Sequence, residues 1–139
     1  EMKPDDLNTL LQMGQCLATM RQYDKALAYF FKVEYLGKTP ANAQRAIGWC
    51  YFMTGRYEDA LRFYQKLQET DDVQISDWLN AGHVYLASNR IPEALECYRK
   101  AETYCKTHEE FIKTFLTDKE ALQEQNIPED TIYLVPDMI

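Results

Sequence analysis

At 139 residues, with 46% hydrophobic and 27% charged side chains, the chain has the size and composition of one globular domain with a substantial core. Five Gly and five Pro are too few for a loop-rich or disordered chain, and no apolar run approaches the roughly 20 residues of a membrane span. The net charge of −7 is uneven, with 14 acidic and 13 basic side chains in residues 1–106 and 8 and 2 in residues 107–139; no Lys/Arg cluster suits a nucleic-acid partner.

The strongest signal is a period of 34. Gly14, Gly48 and Gly82 share one column, Ala26, Ala60 and Ala94 a second, and Leu27, Leu61 and Leu95 a third. Phe30, Tyr64 and Tyr98 make an aromatic column. A fixed period of this length fixes a repeat architecture before any helix is assigned. The chain opens Glu1-Met2-Lys3-Pro4-Asp5-Asp6, without a signal-peptide pattern. The missing initiator Met and the bare Met138-Ile139 ending lead us to expect a fragment, or a tail docked on the array or on another chain.

In chain order, Leu7, Leu10, Leu11, Met13, Leu17 and Met20 recur at helical steps and predict a helix over 6–20, followed by a second over 23–37. The next pair is expected over 41–54 and 57–70, and the third over 75–88 and 91–104. Pro40 and Pro92 suit helix openings. Gly55 and Asn89 suit the left-handed turn that ends each first helix; Arg21, at the same register, suits it less. Gly mid-helix costs about 1 kcal/mol against Ala, so three in phase imply close approach of the paired helix, with Ala26, Ala60 and Ala94 expected opposite.

Thr107-His108-Glu109-Glu110 reads as a capping box opening a further helix, with Phe111, Ile112, Phe115 and Leu116 on its apolar face. Thr117-Asp118-Lys119-Glu120 reads as a second capping box, with the helix restarting to about Gln125. Ile127-Pro128-Glu129-Asp130 marks one more start, before an apolar end interrupted by Pro136. Repeat arrays need such a terminal element to cover the last apolar face.

With those residues in view, the chain resembles the tetratricopeptide repeat. Repeat 3 has Trp78, Ala81-Gly82, Tyr85, Ala94, Tyr98 and Ala101; repeat 2 has Ile47-Gly48, Tyr51, Gly55, Tyr57, Ala60, Tyr64 and Leu67, with Gln44 in place of Trp. Repeat 1 is weaker, with Leu10, Met13-Gly14, Leu17, Tyr23, Ala26 and Phe30. The family's closing Pro is replaced by Lys38, Asp72 and Lys106. The resemblance implies an all-α fold: an α-solenoid of three helix-turn-helix units in a right-handed superhelix, with C-terminal capping helices. The three repeats are expected over 5–106, as units 7–40, 41–74 and 75–106, and an acidic helical cap or tail over 107–139.

Cys16 and Cys50 occupy one repeat position and Val84 fills it in the third. With no CxxC or Cys/His spacing for a metal, the four cysteines read as structural thiols of a reducing, cytoplasmic compartment. The best catalytic pair is Cys50 with His83, but Cys50 sits at a packing position. No cofactor motif occurs, and no enzyme activity is expected.

In proteins of this family the first helices line a concave groove that holds a peptide. The resemblance carries that role to Leu11, Gln15, Ala18 and Thr19; to Arg45, Trp49, Phe52 and Met53; and to Leu79, His83, Leu86 and Ala87. An apolar groove with one cation suits an amphipathic helix or apolar strand of a protein partner, with Trp49 as anchor and Arg45 orienting a carboxylate or carbonyl. The clamp of Lys, Asn and Arg by which some relatives hold acidic chaperone tails is absent: Leu11, Gln15, Ala46, Ser76 and Asn80 stand there. The first reading is a peptide-binding scaffold module of a larger protein. The alternatives resemble the three-repeat chaperones of type III secretion, which hold apolar translocator segments, or an assembly subunit whose groove closes on its own tail or in a homo-oligomer.

Overall fold

The structure is a computed structural model that describes residues 6–37 and 39–139. The opening residues 1–5 and Lys38, one of the three replacements of the closing Pro, lie outside them. Among the described residues every regular element is helical. The helices are α1 (Leu7–Thr19), α2 (Tyr23–Leu36), α3 (Ala41–Met53), α4 (Tyr57–Gln68), α5 (Ile75–Ala87), α6 (Ile91–Glu102), α7 (His108–Leu116), α8 (Lys119–Glu124) and α9 (Glu129–Leu134), with a final 3-10 turn over Val135–Met138. The first six fall within two residues of the bounds that the apolar spacing predicts. None of the described helices is long and apolar enough to cross a membrane.

The chain divides into two compact units, one ending at Phe63 and one running from Tyr64 to Ile139. In the first, α1 packs on α2, and α2 packs on α3. Leu10, Leu27, Phe30, Val33, Ile47 and Tyr51 are among its buried residues. In the second, α5 packs on α6 and α6 meets α7. Leu67, Val84, Tyr98, Phe111, Phe115 and Leu122 are buried there.

The turns between paired helices are copies of one another. Gln22 N–H donates to Leu17 C=O, Arg56 N–H to Tyr51 C=O and Arg90 N–H to Tyr85 C=O, each at 2.8 Å. The preceding residue is left-handed in all three, with φ of 65° at Arg21, 80° at Gly55 and 61° at Asn89. This bonding closes the helix by satisfying its last carbonyls. Repeat 1 therefore makes the same turn despite its arginine, at a backbone cost that Gly55 avoids. Asn126 repeats the device after α8, with φ 67° and Ile127 N–H donating to Leu122 C=O.

At Gly14 and Gly82 the atoms nearest to where a Cβ would stand belong to aromatic rings, a contact that the expected alanine column did not foresee. A Cβ on Gly14 would lie 2.7 Å from Cε1 of Phe30, and one on Gly82 would lie 2.6 Å from Cε1 of Tyr98. Both distances are far inside van der Waals contact. The glycine thus makes room for the large ring sixteen positions on (14 to 30, 82 to 98), and close packing offsets the poor helix propensity.

Candidate functional site

The helix faces that carry the predicted binding residues are formed by the same turns. On α1, Leu11 is half-buried and Gln15 exposed. Gln15 also borders a shallow depression of about 450 Å³ with Gln12, Cys16, Thr19 and Met20. On α3, Arg45, Trp49 and Met53 follow at four-residue steps on one face and all three are half-buried. The Arg45 guanidinium donates to Asn42 Oδ1 at 3.4 Å. Phe52, by contrast, is wholly buried. Its ring supports Trp49 from below, 5.3 Å between centroids, and meets Tyr57 at 6.0 Å.

In the second unit Leu79, His83 and Leu86 are all buried. His83 is the polar centre of the unit. Its Nδ1 is 2.8 Å from the Tyr98 hydroxyl and its Nε2 is 2.9 Å from Asp118 Oδ2. A carboxylate can only accept, so Nε2 carries a hydrogen and donates it to Asp118; in the neutral imidazole Nδ1 is then the acceptor for the Tyr98 hydroxyl. Burial, with Cys97 and Asp118 adding to it, pushes the Tyr98 phenol well above its ordinary value. The hydroxyl therefore keeps its proton and can donate. Gly82 lets the Tyr98 ring in, Tyr98 orients His83, and His83 takes Asp118.

Around this polar line is a ring cluster. Phe115 lies 5.7 Å from His83 and 5.2 Å edge-on from Tyr98, and Phe111 stacks on Phe115 at 6.1 Å. Such pairs add to plain area burial. The second capping box does not form. Thr117 bonds back to Thr114 C=O, and Asp118, at the cap position of α8, makes no cap bond because its carboxylate goes to His83. The first box forms in half: Thr107 Oγ1 accepts from Glu110 N–H at 3.1 Å, while the Glu110 carboxylate takes the Lys106 N–H instead.

Sequence reasoning missed Asp118. The available signal was Tyr98, whose hydroxyl stands in a column that is Phe in repeat 1 and needs a partner once buried. The thiol proposed for catalysis is unsuited to it. Cys50 is buried, and desolvation, with Asp24 adding to it, pushes its thiol up to about 12. A protonated thiol is a poor nucleophile. No cluster of metal-ligating side chains occurs among the described residues.

The paired helices, their shared turn and the glycine–aromatic register define a helical-repeat protein. Two tetratricopeptide repeat family models match the chain, one over residues 5–72 and one over 78–108. The chain belongs to the tetratricopeptide repeat family. Membership makes it a protein–protein interaction scaffold with protein partners. Its fold is similar to that in the crystal structure of MamA, at 20% identity and a TM-score of 0.71, covering 98% of this chain and 79% of that one. A second MamA protein crystal structure is similar at 21% identity and a TM-score of 0.71, covering 96% of this chain and 72% of that one. No curated protein sequence matches this chain significantly.

Proposed function

We propose that the chain is a non-catalytic scaffold that holds an apolar or amphipathic peptide segment of a protein partner on the first-helix face of its N-terminal unit. The observation that carries this reading is Trp49. It is a large ring left half-open, held by the buried Phe52 beneath it and flanked along α3 by Arg45 and Met53. Rigid aromatic anchors beside an arginine are the commonest binding hot spots, and methionine adapts to the shape of what lies on it. Leu11 and Gln15 extend the face on α1. Phe52 contributes from beneath, as a support for Trp49.

The reading is tested by capture of a partner from whole-cell extract on immobilised protein, comparing the parent with Trp49→Ala. Capture should fall at least about tenfold, the loss expected of a hot-spot residue, while helicity stays at the parent level. Undiminished capture by Trp49→Ala removes Trp49 as the anchor. The raised Cys50 thiol and the burial of His83 support the absence of catalysis.

A further inference from the structure

His83 stands at the register where the family's first helices meet ligand, yet within the C-terminal unit that register is already taken. The occupant is the chain's own segment, which offers two groups: the Phe115 ring, 5.7 Å from the imidazole, and the Asp118 carboxylate, 2.9 Å from Nε2. The two residues are three positions apart across the turn that ends α7, where Asp118 N–H donates to Phe115 C=O at 3.2 Å, and that turn brings both to the imidazole. We propose that α7 and α8 act as a built-in ligand of the third helix pair, and that the face around His83 takes a partner-protein helix in which an aromatic residue is followed three positions later by a carboxylate.

Three features fit a segment that can give way. Helices of nine and six residues are below the roughly 12–15 that stand alone in water, so their order comes from docking. Asp118 has left the α8 N-terminus without a side-chain cap, which weakens that helix in the docked state. The Asp118 side chain keeps 28% of its surface open to solvent while that of His83 has none, so the link is sealed on the imidazole side and meets water only at the carboxylate. The recognition is that of a helix in a groove: apolar rings for affinity and one buried polar pair for register. It is independent of the Trp49 face.

The test uses the full chain and a fluorescein-labelled peptide copying residues 107–125, read by anisotropy. Asp118→Ala in the chain loosens the built-in segment and leaves His83 in place. Affinity for the peptide should rise about tenfold or more over the parent, equivalent to about 1.4 kcal/mol. Peptides carrying Phe115→Ala or Asp118→Ala should lose that gain. A folded Asp118→Ala chain with no gain overturns the proposal, as does a gain that the substituted peptides share. A second form carries a protease site between Lys106 and Thr107. After cleavage the labelled peptide should exchange with the released segment, and no exchange overturns the proposal equally.

Discussion

Nε2 of His83 lies 2.9 Å from Oδ2 of Asp118, 35 positions further along the chain. Because the imidazole is fully buried, removing the acceptor strands its N–H. Asp118→Ala should cost about 1–3 kcal/mol, the penalty of an unsatisfied buried donor. Asp118→Asn, which retains an accepting oxygen, should cost less than half as much. Urea denaturation of the three proteins checks the order; equal stability of parent and Asp118→Ala would show the link to be idle.

The glycine–aromatic contacts give a prediction whose sign runs against helix propensity. Ala in place of Gly82 or Gly14 gains about 1 kcal/mol of propensity but drives a methyl into the Tyr98 or Phe30 ring at 2.6 or 2.7 Å. Overpacking of this kind costs about 1–3 kcal/mol. Both substitutions should therefore lower the melting temperature, and a rise in either would show that the ring moves aside freely.

The repeated turn separates backbone strain from packing. A Cβ on Gly55 meets nothing within 4 Å, so Gly55→Ala tests the left-handed φ of 80° alone and should cost about 1 kcal/mol. At the equivalent Arg21, φ 65°, substitution to Gly relieves the same strain. It should stabilise by up to about 1 kcal/mol after the extra freedom of glycine in the unfolded chain is counted. Thermal melts of the two variants should shift in opposite directions.

The four thiols should react in order of burial. Cys50 and Cys97 are buried and their thiols are pushed up to about 12, chiefly by desolvation. They stay protonated at pH 9, where an ordinary thiol is half ionised. Cys105, partly exposed, has its thiol raised by burial and by Glu110 and Glu102. Cys16 is exposed. Iodoacetamide at pH 8 followed by mass spectrometry should label Cys16 first and Cys105 more slowly. Cys50 and Cys97 should be labelled only after denaturation.

The helices and their pairing were legible because burial at steps of three and four residues and the 34-residue period act together over some hundred positions. The turn at Gly55 was equally plain, since its φ needs glycine or asparagine; Arg21 makes the same turn because the flanking helix pair dictates it. What lay opposite Gly82 was not legible. Propensity and size suggested a small partner such as Ala94, and did not reveal that the Tyr98 ring, one turn further along the partner helix, comes nearest to Gly82. The Asp118 link was hidden for a different reason. An aspartate before a helix reads locally as a cap, and only the fold brings it to a histidine 35 positions away. For the proposed binding face, Arg45, Trp49 and Met53 share one side of α3 as helical spacing requires, but spacing alone could not tell the half-open Trp49 from the buried Phe52 three residues on.

The central reading, a partner segment seated on the Trp49 face, is tested most directly by site-specific photocrosslinking in extract. A photoreactive residue at Met53 should yield a discrete crosslinked species that disappears when Trp49→Ala is added. The same residue at Glu34, an exposed position of α2, should yield none. Equal crosslinking from both positions, or a Met53 crosslink indifferent to Trp49→Ala, would contradict it.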